Sequence, residues 1–359
     1  MYEPTPEVTN DGWRVTTPAK AGFNTTRINE LTQWIKENHR YHNTHAVLIA
    51  QDTRLVYELY LDGEDGGYGK LMFTLDSIHD LRSITKSINA LLMGIALKDN
   101  FDRALSTPVT ELFMNQGLNF QPGSDQITLF HILTMSVGYQ WDQWIIPFSD
   151  PGNDRTKLAF VKDPVKTIIN LPITHKPGTH WNYNGGLTEL LGRFIENITG
   201  RRLERFARQT LFEPLSISNF QWIKAENWQP EGWAIASAGL RMRLRDMAKI
   251  GSLVLNGGRW QGRQIVPDQW IKLCVEPPIR ASQRIASGVF DYGFQWWPGR
   301  SNSIPGYKMV AGFGLGGQQL LIVPDLRLII AVFAGNYTRG GQDLFGWITD
   351  QVVFALRTN

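Results

Sequence analysis

The chain has 359 residues, 42% hydrophobic and 19% charged, the composition of a soluble globular protein long enough for one large domain or two. Its formal net charge of +3 is too small to imply nucleic acid or an anionic membrane as partner, and no block of Lys and Arg forms a basic arm. One cysteine, Cys274, and seven histidines without His-Glu-x-x-His spacing exclude an intrachain disulfide and a cysteine-based site, so neither metal nor cofactor is expected.

Taken in order, the start Met1-Tyr2-Glu3-Pro4 lacks a basic and then apolar leader. The expected compartment is therefore the cytoplasm, or the periplasm or exterior if a leader has been removed. Asn24 or Thr25 caps a helix to about residue 37, with Ile28, Leu31, Trp34 and Ile35 on one face. Residues 45–51 and 54–60 are strand-like runs, and Asp52-Thr53 between them makes a hairpin. A Gly- and Asp-rich loop at 62–69 follows. Ile88 to Leu97 then places apolar residues on every face, the pattern of a helix buried all round.

Residues 81–230 read mainly as helices and loops. Helices are expected at 187–198, stopped at Gly200, and at 202–212, stopped before Pro214. Later come a helix at 246–255, strands at 318–323 and 326–333, and a closing helix at 343–356. Each strand-bearing end is too small for a sheet of its own. The expected fold is α+β: one antiparallel sheet flanked by the N- and C-terminal helices, with a mainly helical subdomain inserted. In one domain of residues 1–359, the α/β part is 20–80 plus 235–359 and the helical part is 81–234. No run of 18 apolar residues exists to span a membrane.

Three stretches carry chemistry. In Asp80-Leu81-Arg82-Ser83-Ile84-Thr85-Lys86-Ser87, Ser83 stands where the buried helix begins, and Lys86 follows on the same face. A lysine in a low-dielectric site loses affinity for its proton and can take one from a serine hydroxyl. The helix start also offers free N–H groups to an oxyanion. By itself the spacing is better read as a capped helix with a surface lysine.

The second stretch is Pro177-Gly178-Thr179-His180-Trp181-Asn182-Tyr183-Asn184-Gly185-Gly186, a loop entering a helix. Tyr183 alone could be a packed aromatic. Beside a cationic lysine, its phenol would have a lowered pKa and could pass protons between nucleophile and leaving group.

The third is Ala311-Gly312-Phe313-Gly314-Leu315-Gly316-Gly317-Gln318-Gln319. Its glycines match G-x-G-x-x-G in form, but a strand follows where the dinucleotide fingerprint needs a helix. Glycines leading into a strand instead let a ligand or another backbone come close. Between the first two stretches, 134–148 is a long loop with Trp141, Asp142, Trp144, Ile145 and Phe148, expected either as core or as an acyl-binding lid. No Gly-x-Ser-x-Gly elbow and no Walker A sequence occurs.

Together these stretches resemble the serine β-lactamase and penicillin-binding-protein superfamily, whose signature is Ser-x-x-Lys, then a Tyr-x-Asn or Ser-x-Asn element, then a Lys-Thr-Gly-type strand. The resemblance is strongest to the class C-like branch of carboxylesterases and 6-aminohexanoate-dimer hydrolases. It implies Ser83 as nucleophile, Lys86 as its base and Tyr183 as the second-motif tyrosine, with the oxyanion hole at the N–H groups of Ser83 and Gln318. It also places Gly317, Leu315 and Gly185 at the substrate, and the loop reading adds Trp141, Asp142 and Trp144 as expected substrate contacts. Two positions depart from the pattern. Gly185 stands where an Asn is usual, and Leu315 where a Lys or His would hold a β-lactam carboxylate.

The expected function is cleavage of a small ester or amide through an acyl-enzyme on Ser83, without cofactor. A β-lactamase or D,D-peptidase on the same machinery is the alternative within catalysis. A non-hydrolytic binding protein is the alternative outside it.

Overall fold

A computed structural model describes residues 5–356 except 99, 115–116, 229–231, 277, 286–287, 302–303 and 338–342. Among the described residues, nine strands form one sheet. In spatial order they are Arg14–Val15, Arg54–Tyr60, Thr44–Gln51, Leu328–Ala334, Gln318–Val323, Lys308–Gly314, Trp297–Ser301, Gly288–Tyr292 and Ile279–Ile285. All neighbours are antiparallel except the first pair. The two ends of the chain meet where Leu328–Ala334 pairs with Thr44–Gln51, so the sheet is built from both ends, with the helical segment between them in sequence.

The middle strands are buried along almost their whole length, which explains continuous runs such as Leu320-Leu321-Ile322-Val323 in place of alternation. Both faces are covered. Tyr57 points to the helix Thr25–His42, where its hydroxyl meets Thr32 Oγ1. Its neighbour Glu58 points the other way and receives two bonds from Arg245 of the helix Leu244–Leu255, at 2.7 and 2.6 Å. Adjacent strand residues face opposite sides, so these two helices sandwich the sheet. The helix Asp343–Leu356 packs beside Thr25–His42.

The helix Ile84–Leu97 lies against the strands Lys308–Gly314 and Gln318–Val323. A side chain at Gly314 would put its Cβ 2.4 Å from the Leu81 carbonyl, so the glycine lets two backbones touch just before Ser83, as the third stretch implied. Arg82 is held at φ +48°, a costly conformation for a branched-free but bulky side chain. It turns the chain sharply and sets Ser83 at the helix tip.

Several expectations change. The loop expected at 62–69 contains a hairpin, Asp62–Asp65 with Gly69–Met72. Residues 311–314 lie inside a strand, so the glycines form its end and the following turn. The helix expected at 202–212 stops at Ala207 and continues as a wider turn to Phe212, then a short turn Glu213–Leu215 that includes Pro214. Four strands from Ile279 to Gly314 were unannounced. Ile279–Ile285 is a polar edge strand, and Trp297–Ser301 contains Pro298-Gly299, which reads as a turn.

Candidate active site

Ser83 occupies the N-cap position of Ile84–Leu97, yet its side chain makes no capping bond. Its hydroxyl instead meets Lys86, whose Nζ donates to Ser83 Oγ at 2.9 Å and to the Ser237 carbonyl at 2.8 Å. Burial lowers the Lys86 pKa, the Arg155 charge lowers it further and Glu189 partly offsets both, leaving it at about 7. A neutral amine can turn its lone pair toward Ser83, reversing that bond and receiving the hydroxyl proton.

Tyr183 is brought to the same point. Its phenol neighbours Ser83, whose hydroxyl favours the phenolate form, and Lys86 Nζ lies 5.3 Å from the centre of its ring. The ring stacks between Trp144 and Trp297, at 4.9 and 5.7 Å between centroids. The lowered phenol pKa expected from sequence is not found. Burial raises it to about 12, outweighing the effect of Ser83, because the aromatic box removes the water that would solvate a phenolate. Tyr183 therefore carries its proton at neutral pH.

Ser83 and Tyr183 open onto a cavity of about 460 Å³. Its walls include Trp144, Phe148, Trp297, Phe313 and Leu315, and its rim includes Gly316, Gly317 and Gln318. Arg284 is the one charged side chain lining it among the described residues, and it is exposed. The Gln318 side chain is committed elsewhere. Its Nε2 donates to the carbonyls of Leu315 and Ala334, and its Oε1 accepts from the Ala334 N–H, so only its main chain can serve a substrate.

Three expected contacts do not line the cavity. Trp141 is buried and donates to Gln143 Oε1 at 2.9 Å. Asp142 accepts from the N–H groups of Trp144 and Ile145, at 3.1 and 3.0 Å. Gly185 is buried and donates to Gln143 Oε1 at 2.6 Å. Trp141 and Asp142 belong to the loop that carries Trp144 and Phe148, and Gly185 anchors it from the helix Gly185–Thr199; the loop is stitched through Asn153, which donates to the carbonyls of Gln143 and Ile146.

Arg155, Glu189 and the Ser237 carbonyl were not anticipated. Glu189 is buried on the helix Gly185–Thr199. A carboxylate between Leu187 and Leu190 is a usable signal, since buried acids are partnered. A backbone carbonyl 151 positions from its lysine leaves no trace in sequence.

The β-lactamase family model matches residues 32–347. Among curated relatives, the 6-aminohexanoate-dimer hydrolase of Paenarthrobacter ureafaciens is 25% identical over 326 residues, covering 85% of this chain and 75% of the relative. The lovastatin esterase of Penicillium rubens is 26% identical over 200 residues, covering 54% of this chain and 42% of the esterase. The octameric penicillin-binding protein homologue of Pyrococcus abyssi superposes with a TM-score of 0.72 at 20% identity, covering 91% of this chain and 77% of the homologue. At that identity the superposition speaks for the fold alone. The names attached to the two curated relatives are those of hydrolases. With most of its length matched by the family model, a sheet built from both ends and a helical segment between them, the chain belongs to the β-lactamase family.

Proposed function

We propose that the protein is a serine hydrolase that cleaves esters or linear amides through an acyl-enzyme on Ser83. The observation that carries this is the buried Lys86 amine, 2.9 Å from Ser83 Oγ, with a pKa brought down to about 7. In the proposed sequence Ser83 Oγ attacks the substrate carbonyl and its proton passes to Lys86. The negative oxygen is received by the N–H groups of Ser83 and Gln318. Tyr183 hands a proton to the departing alkoxide or amine and recovers one from Lys86. Water then attacks the acyl-enzyme by the same path and releases the acid.

The substrate is a small molecule with an uncharged acyl group. Leu315 offers no charge to a β-lactam carboxylate, and the walls favour apolar contact, worth roughly 25 cal/mol per Å² buried. Arg284 does not reverse this, because exposed charges contribute little in water. β-Lactamase or D,D-peptidase activity is accordingly the weaker alternative.

The test is intact-mass spectrometry after incubation with a fluorophosphonate, followed by kcat/KM on p-nitrophenyl esters, a linear amide and a chromogenic cephalosporin. One adduct, lost in Ser83→Ala, and preference for neutral esters is the expected result. A preference for the cephalosporin would overturn the substrate class. Labelling that persists without Ser83 would overturn the nucleophile.

A further inference from the structure

Lys86 is bound by a strap that does not hold itself in place. The strap is Ala236-Ser237. Its two N–H groups donate to the Glu189 carboxylate, at 2.8 Å to Oε2 and 3.1 Å to Oε1. Its two carbonyls face the Ser83 helix: Ala236 accepts from Asn89 Nδ2 at 2.6 Å, and Ser237 accepts from Lys86 Nζ at 2.8 Å. One buried carboxylate thus seats the two strap residues, of which Ser237 receives the lysine and Ala236 receives Asn89. Arg155 approaches the same carboxylate, with its Nη2 at 4.0 Å from Oε1. It reaches in across Gly185, where a Cβ would lie 3.2 Å from Arg155 Cδ and 3.2 Å from Gln143 Oε1. The missing side chain at the second motif is the space the guanidinium stem uses.

We propose, resting on the Ser83–Lys86 assignment above, that Glu189 and Arg155 are opposed positioning residues for Lys86. The carboxylate seats the strap that binds the amine and favours its proton; the guanidinium, admitted by Gly185, disfavours that proton. The groups facing Lys86 are Ser83 from its own helix, Tyr183 and Glu189 from the segment 183–189, the Ser237 carbonyl from the strap, and Arg155 from the helix Asp154–Leu158. Of these, Glu189 and Arg155 carry the charges that oppose one another. In a site poor in water such charges act more strongly than they would in bulk solvent. The loop that bears the cavity wall therefore reaches the base through Arg155, which joins substrate-side geometry to proton transfer.

The experiment is an NMR titration of Lys86 in protein labelled with ¹³C at lysine Cε, the signal assigned by its loss in Lys86→Ala. In Arg155→Met the midpoint moves up, and in Glu189→Gln it moves down, each by roughly half a pH unit or more. Gly185→Asn, which displaces Arg155, moves it up as Arg155→Met does. Glu189→Asp returns the midpoint toward wild type. If the carboxylate served only as a structural peg, its loss would admit water and raise the midpoint toward that of a free lysine. Movement of both single variants in the same direction, or of neither, overturns the proposal. Arg155 sits on a short outer helix, so its variant reads out even if Glu189→Gln fails to fold. The pH dependence of fluorophosphonate labelling is measured on the same proteins. A labelling limb that ignores the NMR midpoint removes Lys86 as the base of Ser83 while the electrostatic pair stands.

Discussion

The floor and the wall of the cavity are built on opposite principles. At the floor Ser83 lines the cavity, and beneath it Lys86, Glu189 and the Ala236-Ser237 strap are tied to it and to one another by bonds of 2.8–3.1 Å, with Lys86 and Glu189 buried. On the wall, Trp144, Phe148 and Leu315 are 52%, 41% and 44% exposed, and Trp144 stacks on Tyr183 and lies tilted against Trp181. The difference teaches where each property resides. Proton affinity is set where water is excluded, because only there do fixed charges act strongly. Substrate choice is set where side chains are free to meet a ligand, and single contacts there are weak. Substitutions at the floor should therefore strike kcat by orders of magnitude, and those on the wall should shift preference by small factors.

The largest effect is expected from Lys86→Ala. Loss of the general base should lower kcat by about 10²–10⁴ with an unchanged circular dichroism spectrum. A fall of less than tenfold would reduce the lysine to a structural role and dissolve the contrast.

Next is the acid limb of kcat/KM. With the Lys86 pKa at about 7, the neutral amine predominates above that pH and is lost below it. Activity on a neutral ester should be half-maximal near pH 7 and fall about tenfold for each further unit of acid. A limb displaced to the ordinary lysine range would mean that burial does not control the base.

Tyr183→Phe removes one hydroxyl and keeps the stack between Trp144 and Trp297. Turnover of a linear amide, whose leaving group must be protonated, should slow by about 10–100-fold. That of an activated p-nitrophenyl ester should slow far less. Equal rates on the amide for variant and wild type would leave Tyr183 as a packing residue.

The smallest effects belong to the wall. Trp144→Ala should raise KM for aromatic or medium-chain esters by about 2–10-fold, the worth of one aromatic contact, with kcat little changed. Leu315→Lys should move the ratio of kcat/KM values toward a carboxylated substrate by up to about fivefold at low salt. A larger change in kcat than in KM for Trp144→Ala would show that the wall also positions Tyr183, and would blur the division drawn above.

The sequence by itself determined the helix Ile84–Leu97 and the placing of Ser83 and Lys86 on one face of its first turn. That follows from local helix geometry, where residues three apart are neighbours. It also determined the paired central strands, since runs such as Leu328–Ala334 are long, apolar and bounded by turn residues. The polar edge strand Ile279–Ile285 and the Pro-Gly strand Trp297–Ser301 were decided by their pairing partners, because their own patterns are those of loops. The sign of the Tyr183 shift was likewise tertiary. The family resemblance implies a lysine near the phenol, but only the packed rings show how completely water is removed from it. The seat of Lys86 joins Glu189, Ala236-Ser237 and Arg155 across gaps of dozens of residues. No local rule links such positions. They meet because the folded sheet and helices enclose the Lys86 amine, and a buried polar group must find its partners where the fold places it.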